Sequence, residues 1–397
     1  MRWSRTAIAE IPLMFVSLSR PTASQLAIAP PWHEADNPRL CGRKSRFVGW
    51  PVQRDRTTTP CMTIDLNAHA EVGPNAVGLK TFELRNAQTS DRALPVDVWY
   101  PAQASSDYDA HPEAAHPLNA PHRAQEGLPP AQGSFPLIVF SHGNSGFGRQ
   151  TTSLMTHLAS HGIAVAAPDH VGNTFLDSLK IKNEEDRKRV HFEARDHRPR
   201  DIHAVTDAVL AGIEGVANLD PGAVAVMGHS YGGWTSCKMP GIDSRIRAVC
   251  GLAPASEAFV GRKAFDEGEL PFSGGQPTLL IAGTDDVLVD TETSVAKLFD
   301  RLGTPRALVV IDGADHFHFC DAIPMLHGLH EANKRPAQTR PTRPYEDLLE
   351  EGRMQRALGA IVTSFFKGVF DAGTDDPTAH LTGESLARLD PAAVRLK

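Results

Sequence analysis

The chain has 397 residues, enough for one large α/β domain or two ordinary ones. With 41% hydrophobic and 22% charged residues it can bury a globular core. A formal net charge of −7 argues against a general nucleic-acid binder, and no apolar run reaches the roughly 18–20 residues that cross a bilayer.

Residues 1–61 differ from the rest, with nine Lys+Arg against four Asp+Glu and no sustained helix or strand period. They are expected to be a disordered extension, with the ordered, domain-like patterning confined to 62–397. Arg2 and Arg5 precede "AIAEIPLMFVSL", a signal-like stretch that Glu10 and Pro12 interrupt; the balance leans toward a cytoplasmic rather than a secreted protein. "GLKTFELR" and "LPVDVWYPA" alternate apolar and polar residues like two antiparallel strands. Residues 102–135, rich in Ala, Pro, His and Gln, read as a loop insertion. "PLIVFSHG" is a continuous apolar run of the kind that forms a buried parallel strand, followed by a helix over "TTSLMTHLASHG" closed at Gly162. "IAVAAPDH" is the next strand. The polar stretch 171–199 reads as a small cap or a solvated excursion, and 200–213 as a helix. Four more short apolar strands follow at 223–228, 246–254, 277–283 and 306–313, and 354–370 is an amphipathic final helix. Strands alternating with helices predict an α/β fold, a mostly parallel sheet covered on both faces.

The strand at 223–228 runs into Gly228-His229-Ser230-Tyr231-Gly232, a G-x-S-x-G sequence between a strand and a helix. A serine on such a tight turn needs neighbours without bulk, and glycine also tolerates the dihedrals. Ser230 is therefore the candidate nucleophile. Its hydroxyl needs a base, and the base an orienting acid. "GTDDVLVD" after one late strand offers Asp286, with Asp285 as runner-up; "DGADHFHF" after the next offers His316, preferred over His318 because it lies nearer the strand end. A zinc site from Asp315, His316, His318 and Asp321 is the weaker reading, since nothing in their spacing specifies a tetrahedral set. The oxyanion donors are expected at the backbone N–H of Tyr231 and of Asn144, in the loop after "PLIVFSHG". His142 and His229 read as braces. Phe147, Trp234 and Phe317 are candidates for a substrate pocket, with ordinary core packing as the alternative. Five cysteines without C-x-x-C spacing predict no metal site and no disulfide framework.

"PVDVWYPA", "IVFSHGNSG", "LASHGIAVAAPDHVGNT", "RPRDI", "GHSYGG", "GTDDVLV" and "GADHFHF" occur in the order of the α/β-hydrolase group that includes type II platelet-activating-factor acetylhydrolases and dienelactone-hydrolase-like esterases. Bacterial polyester hydrolases and cutinases are similar around the serine and the "HG" loop. The resemblance spans about residues 76–370. It implies an α/β-hydrolase fold and a serine esterase that uses no metal or organic cofactor. It carries Ser230, Asp286 and His316 over as the triad, and Asn144 and Tyr231 as oxyanion donors. The substrate implied is a short-chain ester, with a phospholipid or a polyester as the alternatives. Serine peptidase and an inactive hydrolase fold used for binding are more distant readings. True dienelactone hydrolases carry a cysteine where this chain has Ser230. No feature specifies an oligomeric state. Deletion of residues 1–61 is expected to leave a soluble, folded domain; circular dichroism of the truncated chain checks this, and loss of folding would show that the extension packs on the domain.

Overall fold

In the computed structural model the described residues are 65–90, 92–105, 124–256, 263–332, 341–371, 374–390 and 394–396. The expected extension, Cys41, Cys61 and the middle of the expected insertion lie outside them. Among the described residues ten strands form one sheet: β1 (Ala76–Leu84), β2 (Leu94–Ala102), β3 (Gln125–Glu126), β4 (Phe135–Ser141), β5 (Ala164–Pro168), β6 (Leu219–His229), β7 (Ile246–Leu252), β8 (Thr278–Gly283), β9 (Arg306–Ile311) and β10 (Val394–Leu396). Their order is β10-β9-β8-β7-β6-β4-β5-β2-β1-β3. The stretch from β5 through β4 and β6 to β9 is parallel; β1 and β2 pair antiparallel, as do β2 with β5 and β9 with β10.

The helices are α1 (Thr152–Ser160), α2 (Phe175–Ser178), α3 (Glu184–Leu210), α4 (Tyr231–Lys238), α5 (Ala296–Arg301), α6 (Ile323–Ala332), α7 (Glu351–Phe370) and α8 (Gly383–Leu389). Alternate strand residues feed two separate cores. Leu137 and Val139 join α3, α4 and α5 on one face, while Ile138 and Phe140 join α1 and α7 on the other. Both faces are covered, so the central strands read as continuous apolar runs rather than alternating ones. The final helix follows its amphipathic pattern: Leu358, Ile361, Phe365 and Phe366 face the sheet, and the Glu350 carboxylate caps the first turn by accepting from the N–H groups of Gly352 and Arg353.

Two stretches depart from the expected layout. Residues 184–199 are the first part of α3, which runs unbroken through Pro199 to Leu210. Asn183 caps it by accepting from the Asp186 N–H, three acidic residues occupy the first turn, and Arg189 pairs with Asp186 and Glu193 along the exposed face. A polar sequence thus forms a helix because its charges pair at helical spacing. Within 102–135, β2 extends to Ala102 and β3 lies beside β1, with the Tyr100 hydroxyl donating to the buried Leu128 carbonyl at 2.7 Å. Cys237, Cys250 and Cys320 are buried free thiols. None of the described helices is long and apolar enough to cross a membrane. Phe365→Ala, in the α7 core, is expected to destabilise the domain by about 3–5 kcal/mol, read by urea unfolding.

Candidate active site

β6 ends at His229, α4 begins at Tyr231, and Ser230 alone makes the turn between them. Its φ of 55° and ψ of −115° are strained for a residue with a side chain. Backbone bonds hold it there: its N–H donates to the Leu252 carbonyl at 2.9 Å and its carbonyl accepts from Ala255 at 2.9 Å. A β-carbon on Gly228 would stand 2.2 Å from the Gly232 carbonyl oxygen, and one on Gly232 only 1.8 Å from that of Ser141. Glycine at both positions is therefore a steric requirement of the turn.

β8 leads into Asp285 and Asp286, and β9 into His316. Asp286 Oδ1 accepts from the N–H groups of Leu288 and Val289 at 2.8 Å each, and its Oδ2 lies 2.6 Å from His316 Nδ1. The carboxylate is buried, 1% exposed, so the imidazole is oriented by a partner that water does not compete for. With Nδ1–H donating, Nε2 is the ring nitrogen left to take a proton. Asp285 instead faces Arg343 at 3.3 Å and accepts from the Thr284 hydroxyl at 2.9 Å. His318 donates from Nε2 to the Leu349 carbonyl at 2.9 Å, and its Nδ1 lies 2.7 Å from Asp315. Burial opposes the charge on Asp315, yet bonds from His318 and His327 hold its carboxyl well below the usual range. Asp321 accepts from the Ser153 hydroxyl at 2.5 Å. Of the four residues of the zinc alternative, Asp315 and His318 thus pair with each other, His316 with Asp286 and Asp321 with Ser153, and among the described residues no group of three or more His, Cys, Asp or Glu side chains is arranged to hold a metal.

His229 ties the end of β6 to the His316 loop: its Nε2 donates to the His316 carbonyl at 3.0 Å, with the two rings 4.6 Å apart. Gln150 links the same histidine to the third loop. Its Nε2 donates to His229 Nδ1 at 3.0 Å while its Oε1 accepts from the Gly143 N–H at 3.1 Å. A β-carbon on Gly143 would come 3.6 Å from that of Ser230, so this loop, which carries Asn144, lies directly beside the serine. Tyr231 occupies the first helical position of α4, where N–H groups point out of the helix.

Below the loop is a buried polar layer. His142 donates from Nδ1 to the Gly143 carbonyl at 2.7 Å and accepts at Nε2 from the His170 N–H at 2.9 Å. The Ser141 hydroxyl lies 2.8 Å from His170 Nε2, His170 Nδ1 lies 2.9 Å from Asp201, and Arg92 reaches the other Asp201 oxygen at 2.5 Å. Burial pushes His142 and His170 well below the ordinary 6.5, with the Arg198 charge adding to it; burial does the same to His229, with His316 adding. All three are neutral braces. Gln150, His170, Arg198 and Asp201 carried no assigned role at the level of the sequence. "RPRDI" held two of them; Gln150 had no signal, because its two partners are far apart in the chain.

Of the pocket candidates, Phe147 is half-buried in the Asn144 loop and Phe317 packs edge-on against His316 at 5.8 Å. Trp234 is 1% exposed, donates to the Ala264 carbonyl at 2.6 Å and belongs to the core beneath α4. A small cleft beside Asn144 is lined by Asn173, Thr174, Ile181, Arg187, Val190 and His191.

The model of the alpha/beta hydrolase family matches residues 138–394, most of the chain and every element of this site. The chain belongs to that family. Its sequence is 30% identical over 229 residues to platelet-activating factor acetylhydrolase of Canis lupus familiaris, covering 47% of this chain and 48% of the relative. It is 25% identical over 193 residues to cutinase est2 of Thermobifida alba, covering 48% of this chain and 55% of that one. The hydrolase spans about half the length of the curated relatives it matches. A ferulic acid esterase from Streptomyces cinnamoneus shares the fold, with a TM-score of 0.57 at 22% identity over 73% of this chain and 89% of that chain.

Burial depresses His142, His157, His170, His191 and His229 below their ordinary 6.5 in the folded state. Each adds stability above pH 6.5 that is lost as the pH falls through that value, because the unfolded chain then binds the proton. Asp201, raised by burial to about 6, acts in the opposite sense, as do Asp169 and Glu351, also raised by burial, and His327, which its bond to Asp315 raises against burial; the depressed histidines outnumber them. The melting temperature of the hydrolase is expected to fall on acidification from about pH 7 to about pH 5; a flat or rising profile in differential scanning calorimetry would contradict the neutral-brace reading.

Proposed function

We propose that this α/β-hydrolase cleaves carboxylic esters through an acyl-enzyme on Ser230, with His316 as base and Asp286 as its orienting acid. The observation that carries the reading is the buried 2.6 Å contact between Asp286 and His316, on the loop that His229 ties to the Ser230 turn. Ser230 Oγ attacks the ester carbonyl and gives its proton to His316 Nε2. The imidazolium formed is stabilised by Asp286. The oxyanion is held by the N–H groups of Asn144 and Tyr231, the second at a helix N-terminus. Collapse of the tetrahedral intermediate expels the alcohol, which takes the proton back from His316. Water, activated by the same histidine, then releases the acid and restores the serine.

The similarity to platelet-activating factor acetylhydrolases favours a short acyl group, such as an acetyl ester. The cutinase similarity supports a polyester or longer ester as the second reading. Initial rates on p-nitrophenyl esters of increasing acyl length separate these: turnover concentrated at acetate and propionate supports the first, and a flat profile the second. Ser230→Ala is expected to lower kcat by about 10⁶-fold and Asp286→Asn by about 10⁴-fold, with unchanged circular dichroism. Retained turnover in the serine variant would overturn the assignment.

A further inference from the structure

We infer that Arg198 is a positioning residue for the oxyanion hole, turning the Asn144 N–H toward the substrate by holding the carbonyls on the far side of the loop. The inference rests on the reading of Ser230 and Asn144 just given. Arg198 lies in α3, its side chain fully buried. Nη1 donates to the His142 carbonyl at 2.6 Å and Nη2 to the Gly143 carbonyl at 2.9 Å. In a trans peptide the C=O and the N–H point in opposite directions. Pinning the His142 oxygen therefore aims the Gly143 N–H away from the guanidinium, and that N–H indeed meets Gln150 on the Ser230 side of the loop. Pinning the Gly143 oxygen aims the Asn144 N–H away from the guanidinium in the same manner.

Three further contacts extend the clamp. Nε and Nη2 both donate to Asn173 Oδ1, at 2.9 and 2.7 Å, and Asn173 Nδ2 donates to Asn144 Oδ1 at 3.0 Å, so the Asn144 side chain is held through one intermediary. The guanidinium carbon stands 4.6 Å from the centre of the Tyr231 ring, so Arg198 also packs against the residue that supplies the other donor. Burial lowers the guanidinium to about 10, which leaves it charged at neutral pH. A cation on the Gly143 oxygen polarises that amide and makes its N–H a stronger donor, as in any hydrogen-bonded chain. A lysine keeps the charge but has one nitrogen in place of the planar fork that reaches both carbonyls and Asn173.

The test uses the full chain with p-nitrophenyl acetate as substrate and an alkyl trifluoromethyl ketone, which forms an oxyanion on the serine, as transition-state analogue. In Arg198→Lys, kcat is expected to fall by about 10²-fold with KM nearly unchanged, and affinity for the trifluoromethyl ketone to fall in parallel. Affinity for the matching methyl ketone, which forms little oxyanion adduct, stays within about twofold. A purely structural role would weaken both ketones together. If kcat and trifluoromethyl ketone affinity stay at the wild-type level in a folded Arg198→Lys protein, the inference is overturned. Should that variant fail to fold, Asn173→Ala carries the same comparison, with a loss of about tenfold in kcat and in trifluoromethyl ketone affinity expected, and no loss overturning the clamp. Fluorophosphonate labelling of Ser230 in the wild type runs alongside. Absence of labelling there overturns the underlying serine assignment, whereas labelling with an unaffected Arg198→Lys overturns the clamp alone.

Discussion

The close approach of α4 to the ends of β4 and β6 is the constraint on which the site depends. Gly232 lies so near the Ser141 carbonyl that no β-carbon fits, and Gly228 lies nearly as close to the Gly232 carbonyl. This packing forces Ser230 into positive φ. It also brings the backbone of three loops together in a largely buried region, where N–H and C=O groups that lose water need partners. The polar side chains beneath the site answer that need. Gln150, His142 and Arg198 each take backbone groups of the Asn144 loop that the sheet no longer pairs.

A second consequence is electrostatic. His142, His170, His229 and His316 cluster around the strand ends, with His142 and His170 4.9 Å apart and His229 and His316 4.6 Å apart. Charging neighbours at that spacing in a buried region is unfavourable, and burial holds the bracing histidines neutral. Each one then offers one donor and one acceptor, which is what bridging two loops requires. Of the four, His316 is the one whose Nδ1 meets Asp286. The fixed positive charge is supplied separately by Arg198 and Arg92, set against Asp201. One buried layer thus keeps its permanent charges apart from the histidine on which proton transfer is proposed to run.

Much of the architecture was legible because a parallel sheet buried on both faces leaves an unmistakable mark: short, continuous apolar runs at regular intervals. The strand at 278–283 and the one at 306–311 were readable on that ground alone. Helix α3 was only half legible. Its second half has an apolar period, but residues 184–199 are so polar that only their N-cap and ion pairs, both visible chiefly in three dimensions, mark them as helical. Arg198 and Asp201 sat in a quoted motif without a role, since their partners are carbonyls and side chains from loops 25 to 57 residues away and from Arg92, 109 residues away.

By itself the sequence determined the α/β class, the glycine-flanked turn at Ser230 and the order serine, acid, histidine along the chain. Those features are local: strand patterning, a steric demand on two glycines, and loops that follow strands. Which of two adjacent aspartates meets which of two nearby histidines was decided by tertiary structure. Asp285 and Asp286 differ by one step of backbone direction, and that step sends one carboxylate to Arg343 and the other to His316. The buried polar layer was decided the same way. A hydrogen bond between Gln150 and His229, or between Arg198 and the Gly143 carbonyl, exists only after the sheet has brought distant strand ends together.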